Sequence, residues 1–146
     1  MMEITISKAK KRDFAYIQEK IKNYLLDPTD IDWRDFFVAR LKKKVVAFGR
    51  IIDRGDSFEI ASLGVDYYHR KEGIGKKMLI FLIQESRRQD VQKPIYGITH
   101  VSGFVSSCGF EWIKDNYPAY LDQKRKNVCH LDQSRISIVK WKGELV

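Results

Sequence analysis

Cysteine and histidine are scarce in this chain, which restricts the chemistry that it can support. The 146 residues include two cysteines, Cys108 and Cys129, and these are too few for a disulfide framework. The three histidines do not complete a zinc site with them, because Cys129 and His130 are adjacent rather than paired across a turn. We therefore expect neither a disulfide framework nor a metal centre.

Long hydrophobic runs and linkers are also missing. The strongest apolar run, MLIFLI at 78–83, is far too short to span a bilayer, and the N-terminal sequence lacks the apolar segment of a signal peptide. No repeat or Gly/Ser/Pro-rich linker divides the chain, and its length suffices for one compact core. We therefore predict a cytoplasmic protein without a membrane partner, folded as a single domain over residues 1–146.

Acidic residues are outnumbered by basic ones. The 27 lysines and arginines against 19 aspartates and glutamates give a formal net charge of +8. This excess favours an anionic partner, namely a nucleotide cofactor, a nucleic acid or an acidic membrane, although a lysine-rich surface has the same composition. Nucleic acid is disfavoured, because the basic residues are scattered and are not interleaved with aromatic residues.

The hydrophobic pattern predicts a mixed fold of strands and helices. The predicted elements are a strand at 3–8, a helix at 11–26, three antiparallel strands within 35–65, a helix at 73–89, a strand at 95–101, a short helix at 103–107, a strand at 109–114, a helix from Pro118 and a strand at 134–141. Strands joined by a helix pair in parallel through a right-handed crossover. The predicted class is therefore α/β (α+β): a mixed, mostly antiparallel sheet with a central parallel strand pair, flanked by helices.

A cluster of cations surrounds two glycines in the segment HRKEGIGKKM, residues 69–78, where a strand gives way to a helix. Cations there face the positive end of the helix dipole, so the arrangement is unfavourable unless an anion binds. Gly73 and Gly75 let the backbone approach a phosphate closely or adopt positive φ angles. The segment is neither a Walker A loop nor a dinucleotide fingerprint, because Met78 replaces the third glycine of the latter. An ordinary strand-to-helix turn with exposed lysines is the alternative interpretation.

The sequence around this turn resembles a family signature. The segment SFEIASLGVDYYHRKEGIGKKMLIFLI, residues 57–83, is similar to the motif of the GNAT superfamily of acetyl-CoA-dependent N-acyltransferases. In that motif an apolar strand leads into a Q/R-x-x-G-x-G/A turn and then a helix, and residues 70–75 fill the turn without a gap. The segments FFVARLKKKVVAFGRI and CGFEWI are similar to other family elements, so the resemblance covers about residues 3–113.

The resemblance implies a single N-acetyltransferase (GNAT) domain over residues 1–146, with acetyl-CoA as cofactor and an amine as acceptor. It implies that the backbone of the turn binds the coenzyme A pyrophosphate and that the preceding strand pairs with the pantetheine amides. The implied cofactor-binding residues are Leu63, Gly64, Val65, Arg70, Lys71, Glu72, Gly73, Ile74, Gly75 and Lys76. Dimers are common in the family, so the resemblance also allows a homodimer.

The resemblance also points to an acid and a base. An amine attacks a thioester only when neutral, so a base must accept its proton. Some family members place a glutamate base at the spacing of Glu59, eleven positions before Arg70, and Glu59 is therefore the predicted base. A strand glutamate that faces solvent is the alternative. Val105 occupies the position of the tyrosine that protonates the departing thiolate in many members. Nearby substitutes, none of them assigned, are His100, Ser106, Ser107 and Cys108.

Two later segments, ITHVSGFVSSCGF and YPAYLDQKRKN, are partly similar to N-acetylglutamate synthase-like domains. In that comparison Lys124, Arg125 or Lys126 attracts an acidic substrate, whereas a solvated basic helix face is the alternative. The predicted function is acetyl transfer to a primary amine by direct attack in a ternary complex. A silent acyl-CoA-binding module and a nucleic-acid-binding domain are the alternatives. Small amino acids, polyamines, aminoglycosides and protein amines all remain open as acceptors.

Overall fold

Seven strands and four helices make up the part of the chain that the computed structural model describes, residues 3–99, 102–128 and 137–143. The strands are β1 (Ile4–Lys8), β2 (Phe36–Leu41), β3 (Lys44–Asp53), β4 (Phe58–Val65), β5 (Ile95–Thr99), β6 (Phe110–Trp112) and β7 (Ser137–Trp141). The helices are α1 (Phe14–Asn23), α2 (Ile74–Gln89), α3 (Ser102–Ser106) and α4 (Ala119–Val128). No helix within these residues is both long and apolar enough to cross a membrane.

The strands form one sheet in the order β1-β2-β3-β4-β5-β7-β6. Strands β4 and β5 pair in parallel, and every other neighbouring pair is antiparallel. Helix α2 connects the two parallel strands, as a parallel crossover requires. The predicted fold class, a mixed sheet with a central parallel pair, is confirmed.

The parallel pair separates soon after it begins. Strands β4 and β5 are in register at two positions, Phe58 with Ile95 and Glu59 with Tyr96. Strand β4 continues six residues beyond Glu59, and β5 continues to Thr99, without further pairing between these two described strands. The sheet therefore opens into a gap at its centre, where backbone groups of both strands can meet a ligand.

Strand β4 contains a bulge on the edge of this gap. Phe48 pairs with Gly64 and Arg50 pairs with Ala61, so two residues of β4 face the single residue between them on β3. One of the two, Ser62, has a positive φ of 53°, which a non-glycine residue rarely adopts. The Ser62 hydroxyl accepts a hydrogen bond from Arg50 Nε at 3.0 Å and donates one to the Asp27 carbonyl at 2.8 Å. These two bonds stabilise the bulge.

Apolar side chains cover both faces of the sheet. Successive residues of β2 point to opposite faces, so Phe37 packs in the cluster beneath α2 while Phe36 packs in the cluster beneath α1. Helix α4 lies on the same face as α1, since its Leu121 packs against Tyr96 and Ile138 rather than in the α2 cluster. This third cluster is small. The gap between β4 and β5 is thus bordered by α2 on one face and by α1 and α4 on the other.

Some element boundaries differ from those predicted. Helix α1 ends at Asn23 rather than at residue 26, because Leu25 has a φ of 54° that no right-handed helix accommodates. The strand predicted at 109–114 contains three residues, and α4 begins directly after its initial proline. The predicted strand ends at 100–101 and 134–136 lie outside the described residues, as do His100, Cys129 and His130.

Candidate functional site

A cavity of about 810 Å³ occupies the gap between β4 and β5. Its walls come from residues 24–27 after α1, residues 59–65 of β4, residues 97–99 of β5, and the glycine turn before α2. The lining is completed by Leu79, Phe104, Val105, Phe110, Lys124 and Val139. A volume of this size lies in the range of pockets that bind cofactors.

The two ends of the cavity differ in charge. Six residues of β4 separate Glu59 from Val65, which at about 3.3 Å per residue places the ends roughly 20 Å apart. Near Val65 the cavity is lined by His69, Arg70, Lys71 and Lys76, and we call these residues the cationic end. Near Glu59 it is lined by Asp27, Glu59 and Lys124, which we call the ionic end.

The glycine turn gives the cationic end its shape. Gly73 precedes α2 with a φ of 81°, a left-handed conformation that favours glycine. A β-carbon on Gly75 would lie 3.4 Å from Val65 Cγ2 and 3.5 Å from Phe104 Cζ, so a larger side chain there would enter the cavity. The first backbone hydrogen bond of α2 runs from the Lys77 amide to the Gly73 carbonyl, at 3.1 Å. The amides before Lys77 have no partner inside the helix and can bind an anion.

The Arg70 side chain fastens the turn to its neighbours. Its Nε donates a hydrogen bond to the Val65 carbonyl at 3.1 Å, and its guanidinium lies 4.5 Å from the ring centroid of Tyr24. The Tyr24 hydroxyl accepts a hydrogen bond from the Tyr67 amide at 3.1 Å. The Arg70 side chain therefore holds the turn against β4 and α1 in addition to lining the cavity. The sequence pattern offered no signal for the part that Tyr24 plays.

Eight of the ten residues predicted to bind the cofactor line the cavity. They are Leu63, Gly64, Val65, Arg70, Lys71, Gly73, Gly75 and Lys76. Ile74 is instead buried in the core beneath α2. Glu72 places its carboxylate 3.4 Å from His69 Nδ1 and is not among the described lining residues. The side chains of Ile74 and Glu72 thus support the turn, while their backbone stays part of it.

The middle of the cavity is apolar. Its walls there are formed by side chains from β4, α2, β5, α3 and β6, namely Leu63, Leu79, Ile98, Phe104, Val105 and Phe110. Such a channel can accept an extended ligand whose polar head binds at the cationic end. The ligand's other end would then reach Asp27, Glu59 and Lys124.

At the ionic end, one ammonium bridges two carboxylates. Lys124 Nζ contacts Oε2 of Glu59 and Oδ2 of Asp27. Arg54 donates to Oε1 of Glu59 from Nε at 3.1 Å and from Nη2 at 2.8 Å. Arg50 Nη2 lies 3.1 Å from Oδ2 of Asp27. These five residues, which we call the ionic network, contain three cations and two anions.

Glu59 is enclosed within this network. Its side chain is 1% exposed, so the alternative of a strand glutamate that faces solvent is wrong. Both of its oxygens accept hydrogen bonds from cations, but a carboxylate has about four acceptor sites and these bonds fill three of them. Glu59 can therefore accept one more hydrogen bond, from a donor in the cavity. Its role as the base stays a prediction.

Burial and the neighbours of Asp27 act on its pKa in opposite directions. Burial acts to raise the pKa of Asp27, but the charge of Lys124 and the hydrogen bonds from Lys124 and Thr29 outweigh it, so this pKa is lowered. Burial holds the pKa of Arg50 below its ordinary value, with Asp27 and Glu59 opposing that effect. Asp27 is thus an ionised carboxylate at neutral pH. The sequence patterns did not single out this residue.

Three of the four suggested substitutes for the missing tyrosine lie away from the lining, and the fourth, His100, is outside the described residues. Val105 itself lines the cavity, and no described part of Ser106, Ser107 or Cys108 does. The Ser107 hydroxyl donates to the Phe104 carbonyl at 2.6 Å, and Cys108 is buried in the α2 cluster. Lys124, considered from the sequence as an attractor of acidic substrates, contacts two carboxylates instead. The helical spacing of α4 gave no indication of that arrangement.

The comparison with protein families identifies this architecture. Residues 32–112, more than half of the chain, match the family model of the acetyltransferase (GNAT) domain. The chain belongs to the GNAT acetyltransferase family. The cofactor of a GNAT domain is acetyl-CoA. Three features of the cavity fit such a molecule: the cationic end, the space that the absence of a side chain at Gly75 leaves open, and the apolar channel. No curated protein is significantly similar to the chain in sequence.

Several solved structures share the GNAT fold with this protein. The N-acetylglutamate synthase of Neisseria gonorrhoeae, complexed with coenzyme A and N-acetyl-glutamate, has a TM-score of 0.77 at 15% identity over 97% of this chain. This protein spans 35% of that synthase chain. Protein Rv2747 of Mycobacterium tuberculosis, in complex with CoA, has a TM-score of 0.73 at 20% identity, covering 94% of this chain and 98% of its own. ElaA of Escherichia coli has a TM-score of 0.69 at 17% identity, covering 97% and 100%.

Proposed function

We propose that this GNAT protein is an N-acetyltransferase that transfers an acetyl group from acetyl-CoA to a primary amine by direct attack in a ternary complex. The observation that carries the proposal is a cavity that has a cationic end at the start of α2, an apolar channel, and an ionic end at Glu59. Two of the similar structures, the gonococcal synthase and Rv2747, are complexes with coenzyme A, which supports the same cofactor here. Residues 1–146 would act as one such domain.

The cationic end would hold the phosphates of the cofactor. The backbone amides from Arg70 to Lys76 surround the start of α2, where the helix dipole favours negative charge. Lys71 and Lys76 add positive charge, and Arg70 fixes the turn in place. Glu72 and Ile74 would contribute their backbone only. The bound anion would offset the repulsion between the cationic side chains at this turn.

The gap in the sheet would hold the pantetheine arm. Leu63, Gly64 and Val65 line the cavity on the part of β4 that no longer pairs with β5. Backbone groups of these residues that face the gap can form hydrogen bonds with the amides of the arm, much as another strand would, although the Val65 carbonyl already accepts a bond from Arg70. Bound acetyl-CoA supplies an activated acetyl thioester at the far end of this arm.

Glu59 would accept the proton of the acceptor amine, directly or through water. It lies at the end of the cavity opposite the cationic end and keeps one acceptor site free for the amine. Lys124 and Arg54 hold its carboxylate in one orientation. A base that is positioned in this way contributes about 10²–10⁴ to the rate of an acyl transfer.

An acceptor screen tests the proposed function. Acetyl-CoA would be mixed with the protein and with amino acids, polyamines, aminoglycosides or lysine peptides, and free thiol would be followed. Release that depends on an amine supports the proposal. Binding of acetyl-CoA without thiol release from any acceptor supports a silent acyl-CoA-binding module, an alternative that Val105 favours because it places no hydroxyl in the lining.

Gly75→Glu tests the cofactor site separately. A carboxylate at this position would enter the cavity beside Val65 and Phe104 and repel phosphate, so coenzyme A affinity should fall at least about tenfold. Gln18→Glu on the exposed face of α1 adds the same charge away from the cavity and is the matched control. Titration calorimetry on both folded variants gives the answer. Equal affinities in the two variants would remove the assignment of the turn.

A further inference from the structure

The ionic end contains a proton donor to which the proposed reaction has assigned no step. Of the described side chains that line this half of the cavity, Ser62 and Thr99 carry aliphatic hydroxyls, which are not acidic near neutral pH. Asp27 and Glu59 are carboxylates that already bind cations. Lys124 carries an ammonium, and it is 6% exposed. It is therefore the side chain best suited to supply a proton here.

We propose that Lys124 is the general acid of the reaction: its ammonium donates a proton to the sulfur of coenzyme A as the carbon–sulfur bond breaks. This inference rests on the acetyl-transfer function proposed above. Val105 has no group that can donate a proton to the sulfur, and the proposal assigns this step to a residue of α4. The ordinary pKa values of lysine and tyrosine are about 10.4 and 10, so an ammonium and a phenol are acids of similar ordinary strength.

The contacts of Lys124 leave one donor for the sulfur. An ammonium has three N–H groups, and two of them serve the carboxylates of Asp27 and Glu59. The two carboxylates aim the ammonium from elements that are distant in the chain, the loop after α1 and the strand β4. The third N–H is thus held at the cavity wall.

Glu59 couples the two proton transfers. While Glu59 is ionised, it and Asp27 hold the proton on Lys124, with Arg50 and Arg54 behind them. When Glu59 takes the proton of the acceptor amine, the ionic network changes from three cations and two anions to three cations and one anion. Lys124 then releases its proton more readily, because an opposite charge beside it has been removed. The acid becomes stronger at the step in which the thiolate forms.

The step balances in atoms and electrons. The amine nitrogen bonds to the acetyl carbon, the carbon–sulfur bond breaks, and its electron pair goes to sulfur. The amine proton passes to Glu59, and the proton of Lys124 passes to sulfur, giving the free thiol. Neutral Lys124 then regains a proton from Glu59 across their existing hydrogen bond. Both residues return to their starting charge without a further reactant.

The first test measures the thiol of bound coenzyme A without any turnover. Thiolate absorbance during a pH titration reports the pKa of this thiol, which an adjacent ammonium should hold below that of free coenzyme A. Lys124→Met should raise the bound pKa by about one pH unit or more. Lys126→Met, on an exposed position of the same helix, should leave it unchanged. A native complex whose thiol pKa equals the free value overturns the proposal without any variant.

The second test is a rescue. Lys124→Met should lower kcat by roughly 10²-fold. Val105→Tyr, which places a phenol on the lining, should restore at least about tenfold of that loss in the Lys124→Met background. A purely structural Lys124 would not be rescued by a hydroxyl on α3. Failure of the rescue in a folded double variant overturns the proposal, and absence of coenzyme A binding overturns the proposed function with it.

Discussion

Replacing Arg50 with methionine should lower the free energy of unfolding by about 4 kcal/mol. The guanidinium is fully buried, pairs with Asp27 Oδ2 at 3.1 Å, and donates to the Thr29 carbonyl at 2.9 Å and to the Ser62 hydroxyl at 3.0 Å. Removing one partner of a buried ion pair typically costs about 3–5 kcal/mol. Asp27 would keep its contact with Lys124, so the loss here includes the hydrogen bonds that Arg50 donates to the Thr29 carbonyl and the Ser62 hydroxyl. Methionine retains most of the side-chain volume, so the loss would report the charge and its hydrogen bonds rather than a cavity.

The magnitude is large enough to measure by two methods. A cost of about 4 kcal/mol corresponds to a fall in Tm of roughly 8–16 °C for a chain of this size, and urea denaturation should show the same loss. Arg88→Ala removes an exposed pair with Glu85 and is the matched control, with no measurable change expected. A loss below about 1 kcal/mol in Arg50→Met would refute the reasoning, since it would mean that the β4 bulge and the loop at 27–30 do not depend on this side chain.

Three further predictions concern the cavity. Glu59→Gln should lower kcat by about 10²–10⁴ with coenzyme A affinity nearly intact, whereas Glu85→Gln on the surface of α2 should not; full activity of the first variant at every pH would eliminate the base. Burial acts to raise the pKa of Asp27 but the neighbouring cations lower it below 3.8, so its contribution to stability is present above that pH and is lost as pH falls through the lowered value. Urea denaturation at about pH 7 and pH 3 should therefore show a smaller acid-induced loss in Asp27→Asn than in the native protein, and equal losses would contradict the lowered pKa. A β-carbon on Gly64 would lie 2.6 Å from Phe48 Cζ, so Gly64→Ala should cost about 1–3 kcal/mol by overpacking, and an unchanged denaturation midpoint would exclude this close contact.

The fold could be predicted because its signals are local and repeated. The period of α2 extends over several turns, the segments of β2–β4 are rich in β-branched and aromatic residues, and the order strand–helix–strand implies a parallel pair. The glycine turn was recognisable for the same reason, since its charges and glycines are contiguous. Boundaries were less predictable. Leu25 ends α1 early because its φ is positive, and a leucine in the sequence does not predict that conformation.

The candidate site was only partly predictable. Glu59 and the turn were found by their spacing along one segment, and the alternative of an exposed Glu59 was wrong because α4 and the β3–β4 turn cover it. Asp27 and Tyr24 were missed as parts of the site, and Lys124 was considered only as one of three basic residues that attract an acidic substrate. These residues come together only when three distant segments meet at the gap in the sheet, so no local sequence pattern identifies them.

The sequence by itself determined the class of the fold, the position of the glycine turn and the excess of positive charge beside it, because each depends on residues that are neighbours along the chain. Only the tertiary structure decided which charges neutralise one another. Lys124 is 65 residues from Glu59 along the chain, yet it lies between that carboxylate and Asp27. Coulomb energy depends on separation in space and on burial, and neither quantity is encoded in the local pattern from which helices and strands are predicted.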